Sequence, residues 1–209
     1  MSFSGGRTSA FMLRRVLDAY GGQLPADVHV LFANTGKERP ETLNFVRDCA
    51  ERWSVRIRWV EYHLTDGPDG KLIHGWREVN HEPRRVAKAT APTSERWENV
   101  CPIAEAGETV HDVMAFWSAQ PFDLRLRQHE GNCDLCFLKG RGRIERILRD
   151  RPDLAAWWIA QEDVDGSDRT FRKDRPTYRR MLDMVERTPF LPGIDMGEDD
   201  GTLPCGCTD

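Results

Sequence analysis

The order of apolar patterns in the first 62 residues is the feature that most constrains the fold. Residues 10–20 carry apolar side chains at helical spacing, and the apolar, β-branched run 28–33 is typical of a buried parallel strand. The pair of patterns then repeats, since residues 40–53 have an apolar helical face and residues 55–62 alternate as a strand does. This order predicts an α/β fold with an open, mostly parallel sheet flanked by helices.

The rest of the chain is consistent with a single domain over residues 1–209. A length of 209 residues, 39% of them hydrophobic, is enough for one core of ordinary size. Residues 64–100 show no period, so we expect an irregular insertion there. Further helices are expected at residues 108–117, 137–149, 153–163 and 175–187. The C-terminal part, from about residue 131 to residue 209, carries four of the six cysteines.

Charge and hydropathy narrow the class of protein. No apolar run reaches the roughly 18–20 residues of a membrane span, and no secretory leader is visible, so we expect a cytoplasmic protein without a membrane partner. The formal net charge is −4, from 30 Lys and Arg against 34 Asp and Glu. This charge favours a small anionic ligand over a long polyanion, so tRNA is a possible partner but not the favoured one. The sequence leaves open whether the chain forms a homodimer.

A glycine-containing loop comes directly before the first predicted helix, with the sequence Ser4-Gly5-Gly6-Arg7-Thr8-Ser9. Glycines allow backbone N–H groups to turn inward, and a helix N-terminus adds partial positive charge, so such a loop favours bound phosphate. The hydroxyl groups can donate further hydrogen bonds, and Arg7 can supply a cation. A plain N-capped helix after a glycine turn is the alternative interpretation of these six residues.

A second loop, Asn34-Thr35-Gly36, follows the predicted strand 28–33 and precedes the helix that starts at Pro40. In open parallel sheets, ligands bind beyond the carboxyl ends of the strands. We therefore expect the two loops to face the same crevice.

Together, the two loops resemble the phosphoadenosine phosphosulfate reductase family of the adenine nucleotide alpha-hydrolase, or PP-loop, superfamily. The family's first loop reads Ser-Gly-Gly-x-Asp-Ser, and Thr8 replaces its Asp; the matching residues are Ser4, Gly5, Gly6 and Ser9. Its second motif reads Asp-Thr-Gly-x-x-x-Pro-Glu-Thr, and Asn34 replaces its Asp; the matching residues are Thr35, Gly36, Pro40, Glu41 and Thr42.

The resemblance covers roughly the first 60 residues and implies a PP-loop fold that binds an adenine nucleotide, either phosphoadenosine phosphosulfate or ATP. Both departures remove a carboxylate, which weakens the case for ATP hydrolysis more than the case for nucleotide binding. Almost no strand precedes Ser4. Either the first strand has only two or three residues, or the true start lies upstream.

The cysteines form two close pairs, Cys133-x-x-Cys136 and Cys205-x-Cys207. Two such pairs supply four sulfur ligands, enough for zinc or for a 4Fe–4S cluster, and in a reducing compartment a metal site is favoured over disulfides. Cys101 is a fifth candidate ligand. Cys49 lies in the middle of an apolar helix face, where we expect an ordinary buried cysteine.

The resemblance favours the iron–sulfur cluster, with zinc as the alternative, and leaves two assignments of the ligands. In the favoured one, both close pairs hold the cluster: Cys133, Cys136, Cys205 and Cys207. In the other, Cys101 joins Cys133 and Cys136 in a cluster with an open iron, and Cys205 or Cys207 is the catalytic nucleophile. The Cys205-Gly206 pair resembles the family's catalytic tail, although the Ile-His that usually follows is absent.

The implied function is an oxidoreductase resembling phosphoadenosine phosphosulfate reductase, with an external thiol reductant such as thioredoxin. A transferase is the rival interpretation: an ATP-dependent sulfurtransferase that thiolates tRNA or a nucleobase. A third hypothesis is a non-catalytic nucleotide- or metal-sensing module that kept the fold. Among side chains that could contact substrate, Lys139, Arg141 and Arg143 are the best oxyanion ligands, and Trp76 and Trp97 are candidates for stacking on adenine.

Overall fold

A computed structural model describes five stretches of the chain, namely residues 1–68, 70–79, 100–127, 129–164 and 169–188. Contacts between residues group the chain into two compact units, Met1–Leu126 and Arg127–Thr208. Each unit has its own cluster of buried apolar side chains, and each is described separately below. The expectation of one domain over residues 1–209 stays a prediction.

The first unit contains a mixed sheet of three strands, β1 (Val30–Ala33), β2 (Ile57–Asp66) and β3 (Leu72–Val79), in the order β1-β2-β3. Strands β1 and β2 are parallel, and β2 and β3 are antiparallel. An isolated parallel bridge pairs Ser2 with Leu31, so the residues before the first loop extend alongside β1. The predicted α/β class is confirmed, with one parallel and one antiparallel pair of strands in the described sheet.

The described part of this unit has four helices: α1 (Arg7–Ala19), α2 (Pro40–Arg52), α3 (Pro102–Glu105) and α4 (Val110–Ser118). Helix α1 ends where Gly21 adopts a left-handed conformation, with a φ of 67°. Helix α2 begins at Pro40, where the missing N–H costs no intrahelical bond. Thr109 and Asp112 cap α4 reciprocally in a capping box.

One face of the parallel strands carries the core of the first unit. Val30 and Phe32 of β1 are buried, while Leu31 and Ala33 between them are exposed. The Phe32 ring packs edge-on against Trp59 of β2, with 4.7 Å between ring centroids. Helices α1 and α2 contribute further buried side chains, among them Phe11, Leu13, Leu17, Phe45 and Val46.

The β2–β3 hairpin corrects the expected irregular insertion at residues 64–100. Strand β2 continues to Asp66, and β3 pairs with it from Leu72 to Val79. Almost all side chains of β3 are exposed, so its sequence lacks the alternation of apolar and polar residues that identifies a half-buried strand. Residues 80–99, also predicted as part of the insertion, lie outside the described residues.

The regular elements described in the second unit are all helices. Helix α5 (Arg141–Asp150) is followed by a 3₁₀ turn (Pro152–Leu154), α6 (Ala155–Glu162) and α7 (Tyr178–Arg187). Helix α5 begins later than the predicted residue 137 because a turn comes first, closed by a hydrogen bond from Lys139 N to Cys136 O (3.0 Å). The core of this unit includes Leu135, Ile144, Trp158, Tyr178 and Met181.

No helix in the described parts of either unit is both long and apolar enough to cross a membrane.

Candidate functional site

The first loop is held tightly against the start of α2 and the end of β1. Gly5 has a φ of 81°, and a Cβ built on it would lie 2.8 Å from Thr42 Cγ2 and 2.9 Å from Phe32 Cε2. Position 5 therefore favours glycine both for its left-handed backbone and for the space around it. Because Thr42 belongs to the second predicted motif, this contact brings the two motifs together as the sequence predicts.

The hydroxyl groups of the first loop bond to one another and to the backbone. Ser4 Oγ donates to Ser9 Oγ (3.0 Å), and Ser9 Oγ donates to the Gly6 carbonyl oxygen (3.0 Å). Gly6 is the N-cap of α1, with no side-chain capping bond among the described residues, and the first turn contains no acidic residue. The N–H groups of this turn thus form a partly positive helix end suited to an anion.

The Arg7 guanidinium is engaged within the first unit. Its Nε and Nη2 donate to the two carboxylate oxygens of Asp123 (2.7 and 2.6 Å), and Nη2 also donates to the Leu126 carbonyl oxygen (3.2 Å). Trp117 Nε1 donates to the Arg7 carbonyl oxygen (2.9 Å). These bonds tie the first turn of α1 to α4 and to the segment that follows it. That Arg7 supplies a cation to a bound phosphate stays a prediction. In that role its guanidinium would contact both the phosphate and Asp123.

The second loop is ordered by two side chains. Asn34 is buried (2% exposed), and its Oδ1 accepts a hydrogen bond from Gly36 N (3.2 Å). The Glu38 carboxylate accepts from both Thr35 N (2.9 Å) and Thr35 Oγ1 (2.6 Å). Asn34, Thr35 and Gly36 thus lie in a compact turn directly beyond β1, as the motif predicts.

Three residues with roles around this site were missed by sequence reasoning: Glu38, Glu61 and Asp123. Glu61 is buried on β2 and forms an ion pair with Arg77 of β3. The alternation of β2 could have revealed it, because Ile57 and Trp59 point inward and Glu61 is next in that series. Asp123 has no such local signal, since it meets Arg7 from 116 positions away.

The aromatic candidate Trp76 lies on β3 and is 62% exposed. The Arg58 guanidinium lies over its ring, 5.7 Å from the centroid, which is within cation–π range. Its predicted stacking on adenine stays a prediction. Trp97, the other candidate, lies outside the described residues.

Cys133 and Cys136 lie on a turn in the second unit, before α5. Cys133 is buried (7% exposed) and Cys136 is half-buried. Lys139 folds back over this turn, and its Nζ donates to the Cys133 carbonyl oxygen (2.7 Å). This hydrogen bond fastens the lysine side chain to the backbone of the turn that carries the two cysteines.

The other cysteines differ in their surroundings. Cys49 is fully buried in the first unit, and burial raises the pKa of its thiol well above the ordinary range, which confirms the prediction of an ordinary core cysteine. Cys101 is exposed, directly before α3. Cys205 and Cys207 lie outside the described residues. Within the stretches that the structure describes, no three metal-ligating side chains come together.

The basic residues near the cysteine turn are partly engaged already. Lys139 is buried against the turn, and Arg141 Nε donates to Glu145 one helical turn away (2.6 Å). Arg143 lies in the first turn of α5. Their predicted binding of sulfate or phosphate groups stays a prediction.

Comparison with known proteins finds a distant relative. The chain is 24% identical, over 221 aligned positions, to the uncharacterized nin region protein ORF290 of Escherichia phage lambda. The alignment covers 80% of this chain and 74% of the phage protein, whose name states no activity. No protein-family model matches the chain. No solved structure matches it significantly.

Proposed function

We propose that this chain is a cytoplasmic PP-loop enzyme, resembling phosphoadenosine phosphosulfate reductase, that binds an adenine nucleotide and carries out sulfur transfer or reduction. The observation that carries the proposal is the close contact of the first loop with β1 and with the start of α2, the two elements that flank the second loop. Gly5 lies so close to Thr42 and Phe32 that a side chain would not fit between them. The loop thereby stays beside the carboxyl end of β1, where open α/β sheets bind their ligands.

The charge of this edge supports an anionic ligand. Thr8 and Asn34 are neutral at positions where the resembled family has carboxylates, and the first turn of α1 contains no acidic residue. Backbone N–H groups at a helix N-terminus attract phosphate, and the Asp123 carboxylate beside this turn is already paired with Arg7. The nucleotide phosphates are therefore proposed to bind over residues 4–9.

The turn at residues 133–136 fits half of a metal site. Two cysteines separated by two residues on one turn are suited to act as ligands of one metal centre. We assign Cys133 and Cys136 to a 4Fe–4S centre, with Cys205 and Cys207 proposed to complete it and zinc as the alternative. When bound, such a cluster supplies iron for redox or Lewis-acid chemistry.

The alternative ligand set uses Cys101 and leaves Cys205 or Cys207 as the nucleophile. In that case the thiolate sulfur bonds to the sulfur of the adenylated sulfate, and the bond from that sulfur to the bridging phosphate oxygen breaks. The nucleotide leaves with the bonding electron pair. An external dithiol, such as reduced thioredoxin, then attacks the enzyme's sulfur, releases sulfite and is oxidised to a disulfide.

Metal analysis of anaerobically purified protein tests the cluster. We expect a brown protein with about four irons and about four sulfides per chain, and we expect Cys133→Ser to lose the metal. Cys49→Ala is the matched control, because Cys49 is buried in the other unit and should leave the metal content unchanged. A colourless protein with one zinc, or equal metal loss in both variants, contradicts the assignment.

Product analysis tests the reaction. Incubation with phosphoadenosine phosphosulfate and a dithiol reductant should release sulfite together with the nucleotide. Cleavage of ATP to AMP and pyrophosphate in the presence of an acceptor would contradict the reductase and support a sulfurtransferase. Nucleotide binding without turnover of either compound would contradict both enzymes.

A further inference from the structure

Two buried polar side chains lie next to each other where β1 and β2 end their pairing. The parallel register pairs Ala33 with Val60, and Asn34 N then donates to the Val60 carbonyl oxygen (2.8 Å). One step further along, Asn34 lies beside Glu61. Both follow the carboxyl end of β1 in the register, which is the edge where the proposed nucleotide binds.

The two side chains also share a face. Side chains alternate along a strand, and the buried pair Phe32 and Trp59 lies two residues earlier on each strand. Asn34 and Glu61 continue this inward-facing row and are themselves 2% and 3% exposed. They are its first polar members.

Each side chain has one polar atom held by the protein and one directed elsewhere. Asn34 Oδ1 accepts from Gly36 N, which identifies Nδ2 as the remaining group, a donor. Glu61 Oε1 accepts from Arg77, which leaves Oε2 as an acceptor. Both Asn34 Nδ2 and Glu61 Oε2 are buried, and neither has a hydrogen-bond partner among the residues that the structure describes.

Buried polar atoms in native proteins are nearly always paired, so this side-by-side donor and acceptor indicates a bound group with the complementary pattern. Such a group presents an acceptor to Asn34 and a donor to Glu61. An aspartate at position 34 would offer no donor and would place two carboxylates side by side. The donor in this pair of groups therefore depends on an amide, rather than a carboxylate, at position 34.

We propose that Asn34 Nδ2 and Glu61 Oε2 read the adenine base of the nucleotide. The exocyclic N6 amino group donates to Glu61 Oε2, and an adjacent ring nitrogen accepts from Asn34 Nδ2. This inference rests on the proposed nucleotide binding and adds the residues that select the base. Hypoxanthine has the opposite pattern, with an acceptor at O6 and a donor at N1, so the site rejects it.

The test compares ATP with ITP by calorimetry at one magnesium concentration. Wild-type protein should bind ATP about 10- to 100-fold more tightly than ITP, the discrimination typical of a two-bond base contact. N6,N6-dimethyl-ATP, which lacks the donor, should bind about as weakly as ITP. Equal affinity for ATP and both analogues overturns the proposal, and this measurement needs no variant.

The double variant Asn34→Asp/Glu61→Gln exchanges donor and acceptor without changing the net charge. The carboxylate introduced at position 34 can still accept from Gly36 N, and the amide oxygen introduced at position 61 can still accept from Arg77, so both positions keep their local hydrogen bonds. We expect the preference to move from ATP toward ITP by at least about tenfold. An unchanged preference in a variant with the wild-type circular dichroism spectrum overturns the proposal, because a bridging water in place of the base gives that result.

Failure of the proposed function would look different. If wild-type protein binds neither ATP, ITP nor phosphoadenosine phosphosulfate, nucleotide binding itself is wrong, and the base-reading role falls with it. If it binds ATP and ITP equally, the nucleotide site stands and only the role of Asn34 and Glu61 is wrong.

Discussion

Gly5 occupies a position in the first loop where a side chain meets two separate obstacles. The left-handed backbone, with a φ of 81°, disfavours any L-residue, and Thr42 and Phe32 leave no room for a Cβ. We expect Gly5→Ala to lower the free energy of unfolding by about 2–5 kcal/mol, the sum of backbone strain and overpacking. Urea denaturation followed by tryptophan fluorescence measures this loss.

Gly21→Ala is the matched control for Gly5→Ala. Gly21 has a similar φ of 67°, but nothing lies within 4 Å of a Cβ built there. Its substitution should therefore cost only the backbone strain, about 1–2 kcal/mol. Equal losses in the two variants would show that the first loop is not packed against α2 in solution.

At the scale of residues, sequence reasoning found the loops but not how their atoms are used. The glycines and hydroxyls of residues 4–9 were visible because their signal is local. The Arg7–Asp123 pair was not, because only the fold brings positions 116 apart into contact. The Asn34 and Glu61 pair needed the strand register as well as the alternation of each strand.

The pairing of Arg7 with Asp123 makes the attachment of α1 dependent on pH. Burial is the largest single effect on Asp123 and acts to raise its pKa. The hydrogen bonds and charge of Arg7, together with backbone hydrogen bonds from Leu124 and Arg125, outweigh burial and hold the pKa of that carboxyl below its ordinary value. A carboxyl with a lowered pKa stabilises the fold above the ordinary aspartate pKa of about 4. That contribution is lost as the pH falls through the lowered pKa.

We expect Asp123→Asn to be less stable than wild type by about 1 kcal/mol at neutral pH, a modest value because the carboxylate is 37% exposed and screened by solvent. The difference should shrink as the pH falls through the lowered pKa of Asp123, below which this carboxyl is protonated in both folded and unfolded chains. Urea titrations of both proteins across this range measure it. Asp153→Asn is the control: it removes a surface ion pair with Arg151 and should leave stability unchanged. A stability difference between Asp123→Asn and wild type that does not depend on pH would contradict the role of the Arg7–Asp123 pair.

Helix α7 depends on a buried carboxylate from α6. Glu162 Oε2 accepts from the N–H of Tyr178 (2.6 Å), the first residue of α7, and the other oxygen accepts from Phe171 N (3.4 Å). Glu162→Ala should cost about 1–3 kcal/mol because it leaves the buried Tyr178 N–H without an acceptor. Glu162→Gln should cost less, since the amide oxygen can still accept.

Glu186→Ala on the same helix is the control, because Glu186 is exposed and its loss should change stability by no more than about 0.5 kcal/mol. Chemical denaturation of the three variants separates these outcomes. Equal stability of Glu162→Ala and Glu186→Ala would contradict the anchoring of α7 by Glu162.

At the scale of elements, the sequence predicts those helices and strands whose buried face produces a periodic pattern of apolar residues. Strands β1 and β2 and helices α1 and α2 were predicted because each buries one face against the core. Strand β3 was missed because backbone pairing with β2 holds it in place while its side chains remain exposed. Exposed strands of this kind have no hydrophobic period in the sequence.

At the scale of the whole molecule, the candidate residues divide between two units. Residues 4–9 and 34–36 belong to Met1–Leu126, and the Cys133–Cys136 turn belongs to Arg127–Thr208. The sequence predicts both groups from local motifs. It could not predict the division, which depends on contacts made only in the folded chain.

The central claim is that an adenine nucleotide binds at the edge formed by the two loops, and amide hydrogen exchange of the wild-type protein tests it most directly. With saturating phosphoadenosine phosphosulfate, we expect slower exchange in peptides covering residues 4–9 and 34–38, because ligand contacts order these backbone N–H groups. Unchanged exchange in both loops under saturating nucleotide, or protection confined to other peptides, would contradict the account.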